Sequence, residues 1–198
     1  MKTITIALLT AAVACFLSAC NSRPHPHPRV VLHTAKGDVL VELYTDKAPQ
    51  TATAFLRFVE NGIYNSATFY RVLSADNQPM GTDASELIQG GVWKSKSLTP
   101  APDSVPHEST LQTGLSHTNG TLSLARLEAG SGSTEFFICI GNQTGFDYGG
   151  PNAPDGLGYA AFGRVVEGMD VVLQIYKQPE TNQYFDKPIL INSAVVVR

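Results

Sequence analysis

The chain has 198 residues, 43% of them apolar and 16% charged, which suits one globular domain of ordinary size with extensions. A net charge of −3 and the lack of any basic stripe exclude an obvious nucleic-acid partner. No apolar run in the sequence is long enough to cross a membrane as a helix.

The first residues read as a targeting segment rather than as part of a fold. Lys2 supplies a positive start, residues 4–16 are mostly apolar, and Leu17-Ser18-Ala19-Cys20 follow. Residues 1–19 therefore read as a secretory signal. The cysteine at its end resembles a bacterial lipoprotein signal. That resemblance implies cleavage before Cys20, lipid on Cys20, and a mature chain tethered to a membrane of the bacterial cell envelope, at its periplasmic or outer-membrane face. Cys15 then leaves with the signal, and Cys139 remains alone in an apolar run, so no internal disulfide is expected. Residues 20–28 end in Pro24-His25-Pro26-His27-Pro28, an extended and solvated spacer. Residues 29–198 are left to form the domain.

Within it, residues 29–33 and 38–44 are rich in β-branched residues. Ala35-Lys36-Gly37 lies between them, which predicts a hairpin. Ala48, Ala52, Phe55 and Val59 recur at helical spacing, with Pro49 at the start and Asn61-Gly62 at the end, so a helix is predicted over 48–60. Residues 68–73 and 87–91 read as strands joined by a polar, turn-rich run, 74–85. If 68–73 is a regular strand, Phe69 and Arg71 share a face, and a fixed positive charge sits in a partly apolar wall. Residues 95–106 read as loop. Strands are predicted at 121–125, 135–140, 159–165 and 189–197, with a short helix at 169–176. Residues 142–158 are rich in glycine, proline and asparagine and form a long loop, a common place for function. Strands outnumber helices and are not joined by regularly spaced helices, which argues for an antiparallel sheet or barrel.

Three stretches in order carry a more specific signal. They are Phe69-Tyr70-Arg71-Val72 with Ile88-Gln89-Gly90-Gly91; Gly120-Thr121-Leu122-Ser123-Leu124-Ala125-Arg126 with Ser133-Thr134-Glu135-Phe136-Phe137-Ile138; and the run from Gly158-Tyr159 through Phe162-Gly163-Arg164 to Gly168-Met169-Asp170. Together with Asp46-Lys47-Ala48-Pro49 they resemble the cyclophilins, a family of peptidyl-prolyl cis-trans isomerases. The resemblance covers residues 29–198 and implies a mainly β fold: a closed eight-stranded antiparallel barrel capped by two helices. It implies proline-containing polypeptides as partners, no cofactor and no metal, and a monomer.

The chemistry asked of such a site is rotation about an X–Pro bond. Rotation breaks amide resonance and faces a barrier of about 20 kcal/mol. In the twisted state the prolyl nitrogen regains a lone pair, and a donor placed there binds the transition state more strongly than either ground state. An arginine, always charged and rich in donors, suits the task. By the resemblance, Arg71 is the catalytic residue. Phe137 forms the base of the proline pocket, with Leu87 beside it and Phe69 in the same wall. Phe146 supplies a rim, Gln89 holds the substrate carbonyl, Ala125 and Arg126 present backbone to the peptide, and Glu135 and Tyr159 border the groove.

Some positions depart from the family pattern. Glu135 stands where glutamine is common, offering Arg71 or Arg126 a carboxylate partner; Glu86 stands where an aromatic often lines the pocket. The 74–85 run is longer than usual and lies beside the site. Trp93, the sole tryptophan, falls just after Gly90-Gly91 and is not assigned the binding role of the tryptophan found in the later loop of some family members. A module that holds proline segments without turnover, and a purely structural envelope lipoprotein, remain open on the same fold. His33, His107 and His117 lack metal-ligand spacing, and no nucleophile-elbow motif appears.

Overall fold

The structure is a computed structural model that describes residues 26–79, 84–93 and 101–197. The signal segment, Cys20, most of the spacer, residues 80–83 of the polar run and residues 95–100 of the predicted loop lie outside the described residues.

Nine strands form the sheet: β1 Arg29–Thr34, β2 Gly37–Leu43, β3 Ala67–Leu73, β4 Leu87–Gly91, β5 Thr121–Leu124, β6 Phe136–Cys139, β7 Ala160–Glu167, β8 Glu180–Thr181 and β9 Tyr184–Val197. Eight of them run β1-β2-β7-β5-β6-β4-β3-β9, and β9 pairs back onto β1, which closes an antiparallel barrel. The short β8 pairs with β9 beside this ring. Closure leaves the eight strands without a free edge, so their backbone groups pair within the barrel.

Alternation places the core. β1 buries Val30 and Leu32, and β2 buries Val39, Val41 and Leu43. Inside the barrel the rings of Phe55, Tyr64, Phe136 and Phe162 pack with centroids 4.9–5.5 Å apart. Each such buried ring contributes roughly 1.5–3 kcal/mol of burial. Phe55 comes from the predicted helix, here α1 Pro49–Glu60, whose buried face is set by Ala52, Phe55, Phe58 and Val59. α1 packs on β7 and β9, and α3 Met169–Tyr176 packs on β2 and β4 through Val171, Val172 and Ile175.

Helix α1 starts with proline and has alanine at its cap position, so it has no capping side chain of its own. The missing acceptor comes from a loop far along the chain. The buried carboxylate of Glu108 accepts from the backbone N–H groups of Gln50 (3.1 Å) and Thr51 (2.7 Å) and from the Thr51 hydroxyl (2.6 Å). A negative charge there meets orphan donors and the positive end of the helix dipole. Two residues after Glu108 begins α2 Thr110–Thr113, a helix the sequence pattern does not predict.

Candidate functional site

The site is built on a defect in β3. The register of β3 against both β4 and β9 shifts between Phe69 and Arg71, so Tyr70 is an extra residue. Such a bulge re-aims side chains. Phe69 points into the barrel, fully buried, against Phe136 at 5.7 Å. Tyr70, Arg71 and Leu73 border a cavity outside it. This corrects the expectation that Phe69 shares a wall with Arg71: strand periodicity is broken between them, and Phe69 is a core residue.

Arg71 is half-buried and is held from both sides by neutral amides. Its Nη1 donates to Gln89 Oε1 (3.2 Å) and its Nη2 to Gln183 Oε1 (2.7 Å). Gln89 is fixed in turn by donating from Nε2 to the Tyr70 hydroxyl at 2.8 Å. Gln183 is fixed by its turn between β8 and β9, where Glu180 accepts its backbone N–H. Among the described residues no carboxylate pairs with Arg71, so its charge is not neutralised. A guanidinium has five N–H donors, and each Nη atom keeps a second one.

The cavity measures about 470 Å³, and Arg71 and Phe137 both border it. Its apolar end is a separate small cluster of Leu87, Phe137, Cys139 and Phe146, with Leu73, Ala125 and Tyr159 against it. The rings of Phe137, Phe146 and Tyr159 lie 5.2–5.5 Å from one another, two of the three contacts nearly perpendicular. Phe146 reaches this cluster from the long loop, on a short turn Thr144–Phe146. Its carbonyl accepts the N–H of Tyr159 at 2.9 Å, which ties the two rims together.

Glu135 borders the cavity, but its carboxylate is already engaged. It accepts from the Tyr70 hydroxyl (2.7 Å), the Thr134 hydroxyl (3.1 Å), and the backbone N–H groups of Val92 (2.9 Å) and Trp93 (3.0 Å). Burial and this carboxylate push the Tyr70 phenol far above its usual range. Gly91, with φ +147°, is where the carboxylate lies, and a Cβ there would collide with it. Glu135 therefore pairs with neither Arg71 nor Arg126, contrary to expectation.

Arg126 borders the cavity, but its guanidinium is already engaged by the neighbouring loop. It makes a bidentate pair with Asp155 (2.7 and 2.8 Å), donates to the Gly158 carbonyl, and lies over the Tyr159 ring. This clasp holds the Asp155 carboxyl down at about 2 and pins the 142–158 loop beside the cavity. Ala125 gives its backbone N–H to the Glu135 carbonyl at 2.8 Å and still borders the cavity. Glu86 does not line the cavity; it accepts from the Tyr176 hydroxyl at 3.0 Å, and burial together with Glu86 pushes that phenol up to about 12. The described part of the 74–85 run folds on itself, with Gln78 bonding Ser74 and Ser85, and borders no part of the cavity.

Behind the apolar end lies a buried polar chain that spacing did not reveal. His117 Nδ1 lies 2.6 Å from Asp147 and its Nε2 2.9 Å from Ser123 Oγ, while the ring stacks on Phe137 at 6.0 Å. Burial works to raise the Asp147 carboxyl, but hydrogen bonds from His117 and Ser116 hold it below the usual range. An ionised carboxylate only accepts, so His117 Nδ1 carries a proton and donates to Asp147. The connectivity is that of a hydrolase triad, yet Ser123 and His117 are fully buried and neither borders the cavity. The chain of bonds supports the back of the Phe137 ring and attacks nothing.

A family model, "Cyclophilin type peptidyl-prolyl cis-trans isomerase/CLD", matches residues 29–196. The chain belongs to that family. Among this cyclophilin's relatives, peptidyl-prolyl cis-trans isomerase B of Escherichia coli is 34% identical over 147 residues, covering 74% of this chain and 82% of the relative. Peptidyl-prolyl cis-trans isomerase A of Dickeya dadantii is 29% identical over 201 residues, covering 98% of this chain and 95% of the relative. A solved cyclophilin-type isomerase of Cryptosporidium parvum superposes with a TM-score of 0.66 at 18% identity, covering 87% of this chain and 98% of its own; a second structure of it, in the presence of the dipeptide Ala-Pro, gives 0.65. This cyclophilin is a peptidyl-prolyl cis-trans isomerase, and its closed barrel is the cyclophilin fold.

Of the residues singled out in the sequence, Arg71, Leu87, Gln89, Ala125, Arg126, Glu135, Phe137, Phe146 and Tyr159 meet at one cavity, and Phe69 does not. Tyr70, Trp93 and Tyr184 also border the cavity and Gln183 holds Arg71, yet none of them receives a role from the sequence. Tyr70 was hidden by the bulge. Gln183 lies 112 positions from Arg71 and is invisible to spacing. Tyr184 lies at the start of β9, which begins earlier than the predicted 189. Trp93 follows Gly90-Gly91 rather than lying in the later loop where some family members carry a binding tryptophan.

Proposed function

We propose that Arg71 catalyses the isomerisation by donating from a free Nη to the prolyl nitrogen of a twisted X–Pro bond, while Leu87, Phe137, Phe146 and Tyr159 enclose the ring. The observation that carries this reading is that the unpaired Arg71 charge and the Phe137 ring border one cavity. Two glutamine oxygens hold the guanidinium before substrate arrives, so little reorganisation is needed as the lone pair forms. The apolar end supplies ring binding that is equal in ground and transition states; the donor supplies the part that is not equal. No bond to the protein forms, and no proton need move. The Ala-Pro dipeptide named with the Cryptosporidium protein supports a ring-sized pocket for proline in this one.

Exchange NMR on a proline peptide tests this reading. Cis–trans cross-peaks should build up far faster with catalytic amounts of the protein than without it. Shift changes at the apolar end with no acceleration would contradict it and identify a binding module.

The setting we propose is the bacterial envelope, with the domain of residues 29–198 tethered through lipid on Cys20 and acting on exported polypeptides as they fold. The support is Leu17-Ser18-Ala19-Cys20 after a short apolar run, followed by the proline-rich spacer. Cys20→Ser should move the protein from the membrane fraction to the soluble fraction; unchanged membrane association would contradict the tether.

A further inference from the structure

The cavity has a second set of rings besides those that would enclose the proline. Tyr70 on β3, Trp93 just past the end of β4 and Tyr184 at the start of β9 border it, and Tyr184 is the β9 residue in register with Arg71. Trp93 contacts the Tyr70 ring at 5.2 Å and the Tyr184 ring at 6.0 Å. Tyr70 is buried, but unlike the Phe137 cluster the other two rings face outward: Trp93 is 57% exposed and Tyr184 39%. Large rings left open at the mouth of a binding cavity are the residue types that carry binding energy when covered.

The shelf is also held in place. Glu135 grips the backbone N–H groups of Val92 and Trp93 and the hydroxyl of Tyr70 with one carboxylate. That grip needs Gly91, whose missing Cβ leaves room for the carboxylate. A preformed apolar surface costs less ordering when it binds. The residue that departs from the family's common glutamine is therefore the one that sets Trp93.

We propose that Trp93 and Tyr184 form a second subsite, which takes a large apolar or aromatic side chain flanking the proline. The inference rests on the reading of Arg71 and Phe137 as the site of isomerisation. It makes the enzyme select proline segments that also carry an apolar neighbour, which folded proteins bury and unfolded chains expose.

The test uses the full-length purified protein and peptides of equal length with one proline and alanine flanks. Phenylalanine replaces alanine at one position at a time, two residues before to two residues after the proline. At one of these positions kcat/KM should rise about fivefold to tenfold over the alanine parent, mainly through KM. Trp93→Ala should bring that ratio to within about twofold of one, and Trp93→Phe should keep part of it. Trp93 is the only tryptophan, so fluorescence excited at the long-wavelength edge of tryptophan absorption reports on the shelf alone. Its emission should shift to shorter wavelength with the preferred peptide at saturation and stay in place with the alanine parent. Equal kcat/KM for all peptides, or a preference untouched by Trp93→Ala, overturns the subsite and leaves the isomerase reading standing. No acceleration with any peptide overturns both.

Discussion

Phe136 and Phe137 are neighbours on β6, and both are almost completely buried. They belong to different bodies of the molecule. Phe136 faces into the barrel, where Phe55, Tyr64 and Phe69 surround it. Phe137 faces out, onto His117, Phe146 and Tyr159, at the end of a cavity open to solvent. Burial alone does not separate a core ring from a site ring. The side of the strand does, and so does what lies behind the ring: carbon for Phe136, a hydrogen-bonded histidine for Phe137.

This contrast can be broken at either residue. Phe136→Ala should cost about 3–5 kcal/mol of stability, read by denaturant unfolding. The activity per folded molecule should change little, because the ring touches no substrate. Phe137→Ala should instead lower kcat/KM about tenfold to a hundredfold while the protein stays folded. Equal effects of the two changes on activity would show that Phe136 and Phe137 do not differ in role.

A smaller effect sharpens it from the scaffold side. Glu108 does not border the cavity and caps α1 from a loop. Glu108→Ala should cost about 1–3 kcal/mol of stability and leave KM for a proline peptide as it was. A raised KM with unchanged stability would place Glu108 in the site instead.

The smallest effect concerns acid. The Asp155 carboxyl is held down at about 2 by hydrogen bonds from Arg126 and the Leu157 backbone. A depressed carboxylate contributes fully above its unfolded value near 4 and loses the contribution as pH falls through about 2. The clasp on the 142–158 loop should therefore be intact across the neutral range, and Asp155→Asn should change kcat/KM by less than about twofold at pH 7. Faster backbone hydrogen exchange at Tyr159 in the variant would report the loosened loop. A sharp loss of wild-type activity between pH 7 and 5 would point to another group.

Much of the barrel was legible from residue order. β-branched composition marks β1 and β2, the spacing of Ala52, Phe55 and Val59 marks α1, and α1 keeps one period from end to end. β3 does not. A single extra residue flips the pattern after Phe69, and no local signal in the sequence announces it, so Phe69 was placed on the wrong face and Tyr70 was passed over. Arg71, Gln89 and Phe137 were found through motif resemblance. The partners that hold them, Gln183 and His117, come from distant stretches of the chain, and only tertiary closure brings them near. Glu135 was noticed for its charge but paired with the wrong neighbours, because the backbone donors of Val92 and Trp93 have no signature in side-chain sequence.

The central claim is that one unneutralised guanidinium stabilises the twisted prolyl amide. The most direct measurement is kcat/KM for Arg71→Ala on a proline peptide, with circular dichroism to verify the fold. A loss of about a hundredfold to a thousandfold with the barrel intact is the predicted result. A folded variant that isomerises the peptide as fast as the wild type would contradict it.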